Sequence, residues 1–383
     1  MTKVLVFPRS ATNPYQDLLY GAMPPDVKVA YYPHFTVSQT MNILLFPLVL
    51  LSYRLRGYRL LHVHWTYPFA PVWAPLPGAR RIMHSWYTVC LASARIMGYS
   101  IVWTAHNVLP LGRVFHDEVA ARRQLARASS VVIVHNKTSI PAIRAFGAQQ
   151  VEYVPFGPYT TYASNLSPSD ARRRLKIGPK ERVAVFFGVM QDYKGVDFLL
   201  EAVGSSRPKL PLRLVIAGSC PDAHLRRRLE ALADGIDPPV ISRFERIPDD
   251  DVQTYMLAAD VAVLPFRRIT NSSSLLLALS FGLPVVIPAL PELDDVPEGA
   301  AFRYQPGEPA ALAAALRTVA MLDEPTRISM SACAYRHVST LSWDTTASLT
   351  RAVYLNAVTG QEPANEDLPG EAPGASPSEL MKL

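Results

Sequence analysis

The chain has 383 residues, 49% of them hydrophobic and 18% charged, which is enough apolar material for a large core and suits two domains better than one. A net charge of +6 favours anionic partners, but the arginines are scattered and no Lys/Arg block alternates with aromatics. That excludes a nucleic-acid reader and leaves nucleotide phosphates or anionic lipid, while Cys90, Cys220 and Cys333, odd in number and without metal spacing, read as reduced core thiols.

In chain order, the first segment, Val4–Phe7 before Pro8, is a strand entering a loop, with no long apolar stretch or small-residue cleavage site of a signal peptide, so a cytoplasmic protein is expected. The apolar run from Ile43 to Leu51 contains Pro47 and falls short of the roughly 20 residues a bilayer span needs. Arg54, Arg56 and Arg59 follow it. Residues 42–59 therefore read either as a helix packed on a sheet or as an apolar face with a basic end lying on an anionic membrane. Further β-rich runs follow at Leu60–His64, Ile101–Ala105, Val131–His135 and Val151–Val154. After the turn-rich Pro155-Phe156-Gly157-Pro158-Tyr159 a second group occupies Val183–Phe187, Leu212–Ala217, Val261–Pro265 and Val285–Ile287. Strands alternating with helices predict two parallel sheets, each covered on both faces, with a boundary near residue 160. Trp343 to Val358 predicts a helix that crosses back onto the first domain. The Pro/Glu/Gly/Ala-rich tail from residue 360 is too poor in apolar residues to pack and is expected to be disordered.

Two segments of the second half carry chemistry. The run Phe186-Phe187-Gly188 ends a buried strand in a glycine that lets a ligand approach the backbone, and Lys194 lies at the mouth of the next helix. Thr270-Asn271-Ser272-Ser273-Ser274 opens another helix that stops at Gly282-Leu283-Pro284, so a hydroxyl cap and several free backbone N–H groups face outward at its start. A Lys ammonium beside a helix N-terminus suits a diphosphate, and both segments fall at carboxyl ends of parallel strands, where doubly wound sheets bind ligands. In the first half, His106 and Asn107 end the strand Ile101–Ala105, and His62 and His64 share a face of the neighbouring strand. A His at such a strand end can contact a sugar or share its proton. His62 and His64 lack a third ligand for a metal, and Asp249-Asp250-Asp251 is read as helix capping, so no metal site is expected. Neither G-x-G-x-x-G nor G-x-x-x-x-G-K-[ST] occurs, which removes the usual support for a dinucleotide oxidoreductase or an NTPase.

From Val4 to about Val358 the chain resembles the GT-B glycosyltransferases, in particular the family 4-like group that uses nucleotide-diphosphate sugars. The resemblance rests on Gly188, Lys194 and Gly195 in the loop, on Ala258-Ala259-Asp260-Val261-Ala262-Val263-Leu264-Pro265, on Gly282-Leu283-Pro284-Val285, on the strand-end His106, and on Ser342-Trp343 with its helix. It implies an α/β fold of two doubly wound Rossmann-like domains facing a cleft: residues 1–160 binding the acceptor, 161–340 binding the nucleotide sugar, and 341–359 crossing back to pack on the first domain. It further implies His106 as the catalytic contact to the sugar, and a donor diphosphate on Gly188, Lys194, Asn271, Ser272, Ser273 and Ser274. Arg9, Asn107, Asp117 and Glu118 become acceptor-side or base candidates. The nucleotide sugar, of the GDP-mannose or UDP-glucose type, is a substrate, so no cofactor is implied, and the acceptor is a glycan or a polyprenol-linked sugar.

The chain also departs from that pattern. Val189 stands where many members have an arginine, and the paired glutamates of the E-x7-E motif are replaced by Ile269 and Leu277. Some members carry a Ser/Thr-rich segment there instead, and this chain resembles those. The resemblance implies retention of anomeric configuration, whereas inversion requires a base such as Asp117 or Glu118. Two alternatives keep the fold: a catalytically silent sugar-binding subunit, or a nucleotide-sugar 2-epimerase, against which the carboxylate-poor donor segment argues.

Overall fold

The structure, a computed structural model, describes residues 1–10, 13–70, 76, 78–110, 112–159, 162 and 164–360. Residue 160, where the boundary was placed, and the tail from 361 lie outside the described residues. The chain forms two compact units, Met1–Gly157 with the segment from Ser342 onward, and Pro158–Leu341.

In the first unit β1 (Thr2–Phe7), β2 (Val27–Tyr31), β3 (Leu60–Val63), β4 (Ser100–Thr104), β5 (Val131–Val134) and β6 (Val151–Tyr153) form a parallel sheet in the order β2-β1-β3-β4-β5-β6. The second unit repeats the plan with β7 (Val183–Phe187), β8 (Arg213–Ala217), β9 (Ile241–Arg243), β10 (Val261–Val263), β11 (Val285–Pro288) and β12 (Ala301–Tyr304), ordered β12-β11-β10-β7-β8-β9. Central strands such as β3 and β5 are buried along their whole length, as β-branched and Leu-rich runs require when helices cover both faces. Sequence reading missed β2, β9 and β12, and all three are edge strands with half-exposed residues. One neighbour and partial solvation leave an edge strand without a continuous apolar run.

The helix Trp343–Thr359 completes the first unit's core. Ser342 Oγ caps it by accepting from the Asp344 amide, and Val353 and Tyr354 pack with Val4, Val6, Leu60 and Val102 of the sheet. Arg351 grips Asp26 with Nε 2.9 and 2.8 Å from the two carboxylate oxygens, and Thr346 Oγ1 donates to the Pro155 carbonyl at 2.9 Å. Burying a large side chain such as Tyr354 contributes about 2 kcal/mol, so this distant piece of chain is part of the unit's stability.

The apolar run with Pro47 forms two consecutive helices, Gln39–Leu44 and Phe46–Leu55, with Pro47 in the first turn of the second, where its missing N–H costs nothing. Ile43, Phe46, Val49 and Leu50 face the core, while Met41, Leu44, Leu48, Leu51 and Leu55 recur at helical spacing on the solvent side. Asp249–Asp251 departs from expectation: it forms a 3-10 turn before the helix Val252–Ala258, and no side-chain cap bond is made. The backbone of the turn already leads into the helix in helical conformation, so the Asp251 carboxylate does not reach back to the first free amides.

Candidate active site

At the carboxyl end of β7, Gly188 adopts φ 136°, and a Cβ there would sit 2.6 Å from Ser274 Oγ. Gly195, at φ 67°, would place a Cβ 2.0 Å from the Pro265 carbonyl oxygen. Glycine at both positions lets the β7 loop close on the end of β10 and on the helix Ser273–Ser280. Between them lies Lys194, only 6% exposed, whose Nζ donates to Ser274 Oγ at 3.3 Å and lies 5.6 and 5.1 Å from the ring centres of Tyr193 and Phe266. Burial lowers its ammonium to about 8, so it is still mostly charged at neutral pH. Among the described residues no carboxylate lies within ion-pair distance of it. A buried ammonium with a hydroxyl and two rings for company is poised to receive an anion.

The helix opposite begins at Ser272, whose Oγ accepts from the Leu275 amide at 3.0 Å. Ser272 is thereby spent as the cap, while the Ser273 and Ser274 amides belong to the first turn, which has no intrahelical acceptors. The structure thus brings Gly188, Lys194 and Ser274 together, with Asn271 and Ser273 flanking the cap. Leu277, at the position of an expected glutamate, is buried in the same helix at 5% exposure.

Sequence reading missed the brace behind this loop. Asp197, 1% exposed, binds Arg267 at 2.8 Å and Arg228 at 3.0 Å, and Arg267 also donates to the Asp192 carbonyl at 2.7 Å. Burial opposes ionisation of Asp197, but the Arg267 hydrogen bond and charge outweigh it and hold the carboxyl below its usual range. Val189 is exposed, and the arginines that brace the loop come from the segment after β10 and from the helix Ala223–Ala233, so only tertiary proximity reveals them.

In the first unit the strand-end histidines His62, His64 and His106 form one hydrogen-bonded array, with His135 in ring contact with His106. His62 binds Thr104 Oγ1 at 2.7 Å and Tyr354 OH at 2.6 Å; Tyr20 OH links His62 and His64 at 2.9 and 2.7 Å; His64 meets His106 at 3.1 Å. His135 joins Tyr15 OH at 2.9 Å and the Val154 carbonyl at 2.7 Å. Burial pushes all four imidazoles down, His62 to about 3 and His135 to about 4, so the array is neutral at physiological pH. Among the described residues no group of His, Cys, Asp or Glu is arranged to hold a metal ion. The outermost member, His106, is half-buried and stacks on Trp65 with ring centres 4.6 Å apart. A cavity of 370 Å3 opens there at the carboxyl ends of β3 and β4, lined by His64, Trp65, Tyr67, His106, Asn107 and Arg122 among others.

The remaining candidates have structural partners. Asp117 Oδ1 caps the helix Glu118–Ala128 through the Ala120 amide at 2.9 Å, and Glu118 Oε1 accepts the Val114 and Phe115 amides. Both carboxylates close a local turn, which corrects the reading of either as a free base. Arg9, beyond the end of β1, lies over the Tyr31 ring at 4.8 Å and 3.8 Å from Asp17. A cavity of 1080 Å3 in the second unit is lined by Arg172, Arg182 and Asp260, with Arg172 and Asp260 paired at 2.9 Å. It lies at the amino ends of β7 and β10, the edge opposite the Lys194 loop and the wrong one for a ligand of a parallel sheet.

Two six-stranded parallel sheets flanked by helices, with Gly188 at a strand end against a capped helix, give the α/β fold of the GT-B glycosyltransferases. The chain is similar in structure to sucrose-phosphate synthase from Thermosynechococcus elongatus (TM-score 0.73, 17% identity, 94% of this chain and 100% of that one). It is also similar to Anabaena HepE in complex with UDP (TM-score 0.69, 17% identity, 93% and 100%). Residues 181–321 match the family described as glycosyl transferases group 1. By sequence the chain is 24% identical over 310 residues to a GDP-mannose:glycolipid 4-beta-D-mannosyltransferase of Xanthomonas campestris pv. campestris, covering 80% of this chain and 79% of that one. It is 32% identical over 224 residues to a D-inositol 3-phosphate glycosyltransferase of Geodermatophilus obscurus, covering 55% and 47%. Residues 181–321 of the second unit are thus a glycosyl transferases group 1 domain.

Proposed function

We propose that the chain moves a hexose from a nucleotide-diphosphate sugar of the GDP-mannose or UDP-glucose type onto a glycan or polyprenol-linked acceptor, in the synthesis of cell-surface polysaccharide or glycolipid. The observation that carries this reading is the contact of the buried Lys194 ammonium with Ser274 at the start of a helix. Transfer leaves negative charge on the departing diphosphate, and an ammonium beside two first-turn amides is pre-organised to stabilise it. That charge compensation makes a metal unnecessary, and Arg268, near Tyr193, supplies the second cation that Val189 cannot. His106, neutral and hydrogen-bonded to His64, contacts the sugar, and the reaction retains anomeric configuration, as the family resemblance implies; the Asp117 and Glu118 carboxylates are engaged by backbone amides. The relative named for GDP-mannose and glycolipid supports the donor and acceptor types.

The exposed apolar stripe supports a seat at the inner face of the cell membrane. Met41, Leu44, Leu48, Leu51 and Leu55 lie beside Ile82, Val89 and Ile96 of the parallel neighbouring helix Ala79–Ile96, with exposed Arg56, Arg81 and Arg95 near them. No helix of the described residues is long and apolar enough to cross a membrane.

Lys194→Ala tests the donor site. With GDP, UDP, ADP and dTDP sugars screened by thermal shift, one family of nucleotides raises the melting temperature of the wild type and none that of the variant, whose circular dichroism is unchanged. Wild-type turnover in the variant sinks the reading.

A further inference from the structure

The first unit contains arginines that no carboxylate pairs with among the described residues, although Arg113 donates to the His116 carbonyl at 3.1 Å. Arg122 is 7% exposed, its guanidinium lies 5.3 Å from the centre of the Trp103 ring, and its Nε has no hydrogen-bond partner among the described residues. It lines the cavity beside His106. Arg113 lines that cavity too, and also a second one of 310 Å3 shared with Arg80, Arg81 and His116. Arg80 Nε is likewise buried without a partner. None of these four arginines has a carboxylate within ion-pair distance among the described residues. Glu118, the acidic group that acts on Arg122, has its accepting oxygen occupied by two backbone amides. Burial lowers the Arg122 guanidinium from its usual value, and the opposing influence of Tyr87 and Glu118 does not outweigh it.

Unpaired buried guanidinium is expensive, and its fork of donors matches phosphate oxygens. The two cavities meet at Arg113, so a sugar seated against Trp65 and His106 has a basic pocket directly beside it. The second cavity opens at the start of the helix that carries Ile82, Val89 and Ile96 on its exposed face.

We propose that Arg80, Arg113 and Arg122 bind a phosphate or diphosphate carried by the acceptor, next to the sugar that is extended. The assignment rests on the glycosyltransferase reading of the first unit and adds the acceptor's chemical class to it. The phosphate comes either from a prenyl diphosphate anchor or from a soluble sugar phosphate.

The probe is inorganic pyrophosphate, titrated calorimetrically into the full chain in the Lys194→Ala background so that the donor site is silent. Pyrophosphate binds the Lys194→Ala protein, and adding Arg80→Ala or Arg113→Ala, both at the protein surface, weakens it roughly tenfold each. Arg122→Lys, which keeps the charge but loses the fork, weakens it as well. Absence of pyrophosphate binding in Lys194→Ala, or binding indifferent to Arg80 and Arg113, overturns the proposal. Nucleotide binding by the wild type, lost in Lys194→Ala, tests the underlying reading separately. Competition against pyrophosphate distinguishes the sources, either of which supports the site: farnesyl diphosphate outcompeting glucose 1-phosphate marks a lipid anchor, and the reverse order a soluble acceptor.

Discussion

Lys194 Nζ lies 3.3 Å from Ser274 Oγ, and the same hydroxyl would be struck by any Cβ at Gly188. One serine at the start of a helix thus meets both halves of the loop that follows β7, and the properties of the donor site follow from how tightly the three are packed.

The ammonium of Lys194, lowered to about 8 by burial, has to be charged to hold a diphosphate. Nucleotide affinity is therefore expected to be flat below pH 7 and to fall as pH rises through 8 toward 9, by calorimetry in a buffer series. Without ligand the sign for stability is opposite. The folded pKa lies below the unfolded one, so the unfolded state holds more protons between about 8 and 10.5, and the cost of burying the charge is relieved as pH rises across that window.

Replacing Gly188 with alanine costs stability twice, through the positive φ and through the clash with Ser274, in total about 2–3 kcal/mol. Removing the hydroxyl in Gly188→Ala/Ser274→Ala recovers the steric part only. A double-mutant cycle by urea unfolding is expected to give a coupling energy of about 1 kcal/mol, and strict additivity would show that the two residues do not touch.

The four buried imidazoles make the first unit acid-sensitive. Their folded pKa values lie below the ordinary His value, with His62 near 3 and His135 near 4. Their contribution is fully present above about pH 6.5 and is lost as pH falls toward 4, because the unfolded chain takes up protons that the folded array refuses. The unfolding free energy from urea titrations is expected to drop between pH 7.5 and pH 5, by on the order of 1–2 kcal/mol for each of His62 and His135. His62→Asn flattens that dependence even if it lowers stability at pH 7.5.

Leu48→Glu and Leu51→Glu place charge on the exposed stripe, where neither side chain supports the core. Co-sedimentation with phosphatidylglycerol vesicles is expected to fall at least about tenfold, since each substitution removes apolar burial in the interface and adds repulsion. Transfer to a water-soluble acceptor analogue stays unchanged. Vesicle binding equal to wild type removes the membrane from the proposal.

The alternation of strands and helices, and the carboxyl-end position of Gly188, Lys194 and His106, were legible in the sequence because each depends on residues close together in the chain. Buried central strands carry uninterrupted apolar runs, and a capping serine announces its helix within three residues. The edge strands β2, β9 and β12 were not legible, because their pairing comes from one neighbour far away in sequence. Nor was the role of Asp117 and Glu118, whose acidity suggested a base until the structure placed backbone amides on their oxygens.

By itself the sequence determined the class of fold and the strand ends at which Gly188, Lys194 and His106 lie, since local pattern and local conformation decide these. Only the tertiary structure decided which of those residues meet. It spent Ser272 as a cap while giving Ser274 to Lys194, joined His106 through His64 and Tyr20 to a tyrosine on the final helix, and left the buried Nε atoms of Arg80 and Arg122 without hydrogen-bond partners among the described residues. Hydrogen-bond partnership and desolvation are properties of neighbours in space, and the residues that set them here are separated by as many as 334 positions in the chain.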